Sequence, residues 1–296
     1  VVALSQGDSR YPTALAAIHD PPPTLWIRGR SDSLRTLSVA IVGSRAASPY
    51  AIEVARRLGA DLARRGVTVV SGMARGVDSA AHRGALEGGG ATIAVFGCGA
   101  DVIYPREHAT LAERICERGA IVSEFPPGTR PLQYHFPKRN RIISGLSLAV
   151  VVVEAAEGSG SLITADFALE QGRAVLAVPG NVLGGRNHGA HALLRDGAKL
   201  VECADDILEE LPRGIPGIAD WGRGIGPATE SRSVSPASQD PVLRRMAEGE
   251  SYDLDELSGI SGVDRLRLLP RLLELELGGA VRRIEGGRFV RFRGPC

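Results

Sequence analysis

The stretch QYHFPKRNRIISG, midway along the chain, concentrates side chains that could bind an anionic ligand carrying aromatic bases. Lys138, Arg139 and Arg141 supply positive charge, and Tyr134 and Phe136 supply ring faces. Single-stranded nucleic acid needs this combination, because phosphates recur along the strand and unpaired bases expose their faces. The alternative is a solvated loop whose aromatic residues, Phe136 above all, belong to the core. The stretch therefore raises a nucleic-acid hypothesis.

Two glycine-rich turns could offer backbone N–H groups to the same anion. VGSRAASP contains Gly43, Ser44 and Arg45 ahead of Ser48, a candidate helix N-cap. EAAEGSGSLITAD places two glycines and two hydroxyls in consecutive positions before a helical pattern. These positions are Gly158, Ser159, Gly160 and Ser161. Neither turn is a P-loop or a dinucleotide fingerprint, so no nucleotide cofactor is expected. A plain glycine turn with a surface arginine remains the alternative for the first.

Candidate catalytic residues are few. Asp78 and His82 lie four residues apart in SGMARGVDSAAH and could form a metal or acid–base pair, or serve as a helix cap and an ordinary helix residue. Glu124, Glu154 and Asp166 lie near predicted strand ends, but nothing in the sequence singles them out. The sequence contains no G-x-S-x-G elbow and no H-E-x-x-H motif. We therefore predict no catalytic residue and no metal ligand.

The elements that would position these residues follow a repeating theme of apolar run, glycine turn and amphipathic helix. Six runs recur: SVAIVG (38–43), VTVVSG (67–72), ATIAVFG (91–97), AIVSEF (120–125), LAVVVVEA (148–155) and AVLAVPG (174–180). Near-continuous apolar strands alternating with helices predict an α/β fold with a doubly wound parallel sheet. Ligands of such sheets bind at the carboxyl ends of the strands, where these turns gather.

The chain divides into four predicted segments. Residues 1–37 are interpreted as a lead-in packed on the sheet, and 38–211 as the α/β domain. The Gly-, Pro- and Ser-rich residues 212–240 are predicted to be a flexible linker. Residues 241–296 show three helical patterns and two strands around a glycine pair, which predicts a small winged-helix domain.

Composition limits the function classes. The 296 residues carry a net charge of only +1. An anionic partner would therefore have to bind to a local cluster of basic residues rather than to a generally polycationic surface. The four cysteines show neither zinc-ligand nor paired spacing, which favours a reducing intracellular compartment. No apolar run is long enough to span a membrane, and no secretory signal is visible. A cytoplasmic protein is expected.

Several motifs together resemble the DprA/Smf family of DNA-processing proteins. The motifs are AIVGSR (40–45), SGMARGVDSAAHRGAL (71–86), AVFGCGADVIYPREH (94–108), SEFPPGT (123–129), HFPKRNRIISGLS (135–147), VVEAAEGSGSLITADFALEQGR (152–173) and VPGNVLGGRNHGAHALLRDGAKLV (178–201). The similarity covers about residues 10–210 in order. It implies that residues 1–37 include the remnant of an N-terminal region, and the C-terminal unit resembles an appendage that some members carry.

The resemblance implies an extended Rossmann-like domain and a non-enzymatic role. Family members bind single-stranded DNA taken up in natural transformation, protect it, load the RecA recombinase onto it and usually form homodimers. By position, the family's DNA-binding pocket corresponds to Gly43, Ser44, Arg45, Lys138, Arg139, Asn140 and Arg141. Gly158–Ser161 correspond to its glycine-rich turn, with Ser159 and Ser161 as hydrogen-bond donors to phosphate.

A hydrolase is the competing hypothesis. The same architecture resembles nucleotide-hydrolysing proteins of the cytokinin-activating, lysine-decarboxylase-like group, which carry a P-G-G-x-G-T turn and a nearby catalytic glutamate. Here Leu162, Ile163 and Thr164 follow the turn and no glutamate does, which favours binding. The C-terminal unit leaves duplex binding, protein contact and regulation open, because its candidate recognition helix carries Glu274 and Glu276.

Overall fold

The computed structural model describes residues 1–211, 240–247, 250–277, 280–283 and 288–291. The chain forms two compact units, Val1–Ala219 and Asp220–Cys296. Most of the predicted linker, 212–239, lies outside the described residues. Among the described helices, none is long and apolar enough to cross a membrane.

The first unit is built on one large sheet flanked by helices. Its strands are β1 (Val2–Ser5), β2 (Thr24–Gly29), β3 (Ser38–Val42), β4 (Thr68–Ser71), β5 (Thr92–Val95), β6 (Ala120–Ser123), β7 (Ala149–Val152), β8 (Ala174–Ala177) and β9 (Lys199–Leu200). Its α-helices are α1 (Thr13–Ala16), α2 (Pro49–Arg64), α3 (Val77–Glu87), α4 (Ala109–Arg118), α5 (His135–Gly145), α6 (Gly160–Glu170), α7 (His188–Arg195) and α8 (Ala204–Glu209). Each of the six predicted apolar runs contains one strand, β3 to β8.

The strand order is β1-β2-β6-β5-β4-β3-β7-β8-β9, and the pairings from β6 through β9 are parallel. The chain thus builds outward from β3 in one direction and then restarts with β7 on its other side. Neighbouring residues of β3 enter different apolar clusters, Ala40 and Val42 one and Val39 and Ile41 another, so both faces are buried. The predicted doubly wound, Rossmann-like α/β fold is confirmed.

The local sequence of helix α2 determines where the helix begins and which of its faces is buried. Its N-cap Ser48 accepts a hydrogen bond from the N–H of Ala51 at 3.2 Å. The spacing of apolar residues in this helix predicts Ile52, Ala55, Leu58 and Leu62 on its buried face. In the structure the buried face runs through Ala51, Leu58 and Leu62, and Ile52 is exposed.

The N-terminal segment contributes more than a lead-in. Strands β1 and β2 pair with each other, and β2 continues the sheet by pairing antiparallel with β6. The Tyr11 hydroxyl donates to the Pro22 carbonyl at 2.7 Å, which fixes the connection between them. Because β6 would otherwise be an open sheet edge, the segment covers backbone groups that the parallel strands leave unpaired.

Within the residues that the structure describes, the second unit contains two helices and a small antiparallel sheet. Its elements are β10 (Ser251–Tyr252), α9 (Leu254–Ser261), α10 (Arg265–Leu277), β11 (Val281–Arg283) and β12 (Phe289–Arg291). The sheet order is β10-β12-β11. Two of the three expected helices are present, but 241–246 forms successive turns: Arg244 N–H bonds the Asp240 carbonyl, and Arg245 N–H bonds that of Val242. The glycine pair at 286–287 lies outside the described residues, and the winged-helix assignment stays a prediction.

Candidate functional site

A cleft of about 860 Å³ opens at the carboxyl ends of β3 and β7. The helices that follow these neighbouring strands pack on opposite faces of the sheet, α2 on one and α6 on the other, so a crevice opens between them. Ten of the twelve predicted site residues line it: Gly43, Ser44, Arg45, Phe136, Arg139, Asn140, Gly158, Ser159, Gly160 and Ser161.

The turn after β3 is held by close backbone contacts. A Cβ atom on Gly43 would lie 2.7 Å from Val77 Cγ2, so only glycine fits. The Ser44 N–H donates to the Glu154 carbonyl at 2.7 Å. The buried Glu154 carboxylate accepts from the Ser48 hydroxyl at 2.6 Å and from the Ser48 N–H at 3.1 Å. Glu154 therefore joins the turns that follow β3 and β7. Its carboxylate oxygens accept hydrogen bonds within that contact.

The turn before α6 presents open backbone to the cleft. The Ser159 side chain caps the helix, accepting from the Ser161 N–H at 3.4 Å, and the two serine hydroxyls are 2.8 Å apart. The Asn140 amide donates to the Gly160 carbonyl at 3.1 Å and so holds this turn against α5. No atom lies within 4 Å of the position that a Cβ would take on Gly160, and Gly158 has φ +71°. A ligand can thus approach the helix N-terminus closely.

Arg139 forms the floor of the cleft. Its side chain lies directly on Gly72, where an added Cβ would come within 1.7 Å of Nη1. The buried Asp78 accepts hydrogen bonds from the N–H groups of Gly72 and Ala74, at 3.1 and 3.2 Å, and so fixes the turn under the guanidinium. Arg139 is only 4% exposed.

No hydrogen-bond acceptor is provided for this arginine within the part of the chain that the structure describes. Its Nε and Nη1 atoms are buried without a partner. Burial lowers the pKa of the Arg139 guanidinium to about 10, with Asp78 opposing that shift and Arg45 adding to it. Burial likewise raises the pKa of the Asp78 carboxyl, against the effect of Arg139. A buried cation without an acceptor is costly, and an anion entering the cleft would relieve that cost.

An aromatic wall borders the charged floor. The rings of Tyr104 and Phe136 lie 5.5 Å apart between centroids, and the exposed Arg45 has its guanidinium carbon 5.5 Å from the Phe136 centroid. Phe136 is partly buried, lies against Gly97 and lines the cleft. Tyr104, which also lines the cleft, was not predicted: it lies in the motif AVFGCGADVIYPREH, but no spacing in the sequence links it to Phe136.

Lys138 and Arg141 lie outside this cleft, on another side of α5. Arg141 donates through Nη1 and Nη2 to the two carboxylate oxygens of Glu124, at 2.8 and 2.9 Å, and both side chains are 7% exposed. Arg141 also bonds Asp20, while Lys138 pairs with Glu124 at 3.1 Å. Their charges are therefore already neutralised by neighbours.

Asp78 and His82 do not form an acid–base or metal pair. Thr92 donates its hydroxyl proton to the Val69 carbonyl at 2.6 Å, so it must accept from His82 Nδ1, 2.7 Å away. Burial lowers the pKa of His82 to about 3, which keeps the ring neutral. Within the described residues, no three His, Cys, Asp or Glu side chains come together to hold a metal ion.

The chain matches the family model of DNA recombination-mediator protein A over residues 3–212. It is 44% identical over 292 residues to Protein Smf of Escherichia coli (strain K12), covering 97% of this chain and 76% of that protein. It is 45% identical over 203 residues to the DNA processing protein DprA of Streptococcus pneumoniae (strain ATCC BAA-255 / R6), covering 69% and 72% of the two chains.

Two solved structures share the fold. The X-ray structure of DNA processing protein A from Streptococcus pneumoniae matches with a TM-score of 0.69 at 44% identity, over 71% of this chain and 74% of that one. DNA processing protein A from Helicobacter pylori, described for its single-stranded DNA binding mode, matches with a TM-score of 0.63 at 30% identity, over 71% and 100%. Sequence and fold agree with the motif resemblance, and the chain belongs to the DNA recombination-mediator protein A family of DNA-processing proteins.

Proposed function

We propose that the protein binds single-stranded DNA in the cleft between the β3 and β7 turns. The observation that carries the proposal is the buried guanidinium of Arg139, which faces the cleft and has no acceptor among the described residues. In this proposal phosphates occupy the cleft near Arg139 and Arg45, and a base stacks on Phe136.

The surroundings of Arg139 favour a nucleic-acid phosphate over an isolated small anion. The first turn of α6 directs N–H groups and a positive dipole end toward the cleft, which favours phosphate. The Tyr104–Phe136 pair adds ring faces at the edge of the same cleft, and base–aromatic stacking contributes about 1–3 kcal/mol per base. Lys138 and Arg141, by contrast, are proposed to act indirectly, by holding α5 in position through their ion pairs with Glu124.

We further propose, from family membership, that the bound strand is protected and handed to RecA, and that the protein acts as a homodimer in natural transformation or recombination. The test is the rate of RecA filament assembly on single strands, with and without the protein. Sedimentation at increasing concentration tests the dimer. Unchanged filament assembly would contradict the loading role without affecting the binding proposal.

Binding rather than hydrolysis is proposed for the cleft. The first turn of α6 carries Ser161, Leu162, Ile163 and Thr164 and no glutamate, and a glutamate that lines the cleft, Glu157, precedes the glycine turn instead. The acidic candidates Glu124 and Glu154 are both buried in hydrogen bonds that hold elements together. Incubation with nucleoside monophosphates should release no free base. Base release that is lost on substitution of a cleft residue would overturn this part of the proposal.

The proposal is tested by fluorescence anisotropy with a single-stranded oligonucleotide and its duplex at several salt concentrations. Arg139→Met should weaken single-strand binding about tenfold or more, since a charge-assisted hydrogen bond to phosphate is lost. The slope of log affinity against log salt should become shallower by about 0.7 per lost contact. Arg114→Met, which removes an exposed arginine on α4, is the matched control. Equal binding by both variants and the wild type would exclude the cleft.

A further inference from the structure

The two arginines of the cleft occupy very different depths. Arg45 is exposed at the rim, whereas Arg139 lies on the floor with Nε and Nη1 fully buried. A phosphodiester within a strand carries a sugar on each side, and both chain continuations must leave the cleft. A phosphate at a strand end, or on a free nucleotide, carries one sugar. We infer that the cleft floor seats a terminal phosphomonoester.

The packing around Arg139 supports a one-sided approach. The guanidinium lies against Gly72 so closely that even a methyl group there would overlap it. Asp78 holds the turn beneath it through two backbone N–H groups. An anion therefore reaches the guanidinium from the cleft side, and its sugar must point out of the cleft, which Tyr104 and Phe136 also line.

The hydrogen-bond donors of the site also fit a monoester. A phosphomonoester carries about −1.5 to −2 charges at neutral pH and three terminal oxygens, whereas a diester carries one charge. Arg45 and Arg139 repel each other, since Arg45 contributes to lowering the pKa of Arg139. Asp78 offsets part of the charge on Arg139, and Glu157 also lines the cleft. The two guanidinium groups, the Ser159 and Ser161 hydroxyls and the α6 N-terminus together offer donors to all three terminal oxygens of a monoester.

This inference rests on the proposed function, because the phosphate belongs to the same nucleic-acid ligand. Its test compares one single-stranded sequence in four forms: 5′-phosphorylated, 3′-phosphorylated, hydroxylated at both ends, and circular. Wild-type protein should bind one phosphorylated form about tenfold more tightly than the hydroxylated and circular forms. This preference should shrink as the pH falls below about 6, where the monoester loses its second charge.

Variants locate the preference. Arg139→Met should abolish it, and Arg114→Met should leave it intact. Arg139→Lys keeps the charge but loses the planar fork, so it should reduce the preference even if the methionine variant folds poorly. Competition distinguishes the two sources of the monoester: displacement by a deoxynucleoside monophosphate, but not by the nucleoside, identifies a free nucleotide as a ligand. A preference that persists without such displacement identifies the strand end.

The outcomes distinguish terminal-phosphate recognition from the single-strand binding on which it rests. Equal affinity of all four forms for the wild type, with binding still weakened in Arg139→Met, would overturn the terminal-phosphate inference and leave single-strand binding in place. No binding of any form would overturn the proposed function itself. A terminal-phosphate preference that survives Arg139→Met and Arg139→Lys would also overturn the inference, because the floor arginine would then not be the recognition group.

Discussion

At the residue scale, the guanidinium of Arg139 occupies space that a side chain at Gly72 would need. A glycine is required at position 72 because any side chain there would overlap the guanidinium. Asp78 holds the same turn and offsets part of the buried charge, so Gly72, Asp78 and Arg139 act as one unit. Changing any of the three should alter anion binding before it alters the fold.

Gly72→Ala should move the Arg139 guanidinium out of its seat, because the added Cβ would lie 1.7 Å from Nη1. The arginine can relieve this contact by shifting into the cleft, so we expect single-strand affinity to fall several-fold or more while the thermal unfolding midpoint changes little. Gly7→Ala is the control, since no atom lies within 4 Å of that Cβ position. Unchanged affinity in Gly72→Ala would contradict a fixed position for Arg139.

His82 should make stability depend on pH. Its pKa is about 3 in the folded protein against an ordinary value of 6.5, so the unfolded state binds one proton more between these values. The resulting stability is present above pH 6.5 and is lost as the pH falls toward 3, with a slope approaching about 1.4 kcal/mol per pH unit. Denaturant unfolding from pH 7 to 5 measures it.

His82→Asn should flatten this profile, because the amide can still donate to Thr92 but cannot take up a proton in this range. His188→Asn, at an exposed position, should leave the profile unchanged. Identical profiles for wild type and His82→Asn would show that other groups govern the acid sensitivity.

At the scale of elements, helix α5 serves two surfaces. Its residues Phe136, Arg139 and Asn140 face the cleft, while Lys138 and Arg141 face Glu124. A run of basic residues in a helix is divided between its sides because successive positions are rotated by about 100°. The Arg141–Glu124 pair and the bond from Arg141 to Asp20 fix α5 to the end of β6 and to the N-terminal segment.

Arg141→Met should therefore act on stability. Removing one partner of a buried ion pair leaves Glu124 without its bidentate donor, at a cost of about 3 kcal/mol in the free energy of unfolding. Single-strand affinity per folded molecule should remain near wild type, in contrast to Arg139→Met. Adding Glu124→Gln should recover part of the loss, because the uncompensated carboxylate is removed. A stable Arg141→Met variant with weakened DNA binding would instead place Arg141 in the DNA contact.

At the scale of the whole molecule, the two units have separate apolar cores. The first unit is organised around its sheet, and every residue lining the cleft belongs to it. The second has its own cluster around Leu257, Leu268, Leu272 and Phe289. Asp240, which accepts from the N–H groups of Val242 and Leu243 and from Arg271 Nε, forms part of that second unit.

Separate cores predict separate unfolding. Calorimetry of the full chain should show two transitions, and a chain ending at Ala219 should keep the larger one together with wild-type single-strand affinity. The enthalpy difference between the two chains measures the second unit. Loss of single-strand binding on truncation would mean that the second unit takes part in the site.

The six central strands, the doubly wound sheet and the turns that form the cleft could all be predicted from the amino-acid sequence. These features follow from local chemistry: β-branched apolar runs favour strands, and glycines with capping serines mark the turns that follow. The general rule for open parallel sheets then places the turns at one edge. The seven predicted site residues of the two turns, Gly43–Arg45 and Gly158–Ser161, could be grouped in this way without knowing any long-range contact, whereas Asn140 on α5 followed only from the family resemblance.

Tertiary contacts decide which basic residues of α5 face the cleft and which form ion pairs elsewhere. Arg139 and Arg141 are two positions apart, yet one lies on Gly72 without an acceptor among the described residues and the other on Glu124 and Asp20 with several. Sequence spacing gives the rotation between their side chains but not what stands opposite each. Because those opposing groups come from strands and turns distant in the chain, the same residue type forms a proposed anion-binding site at one position and a structural ion pair at the other.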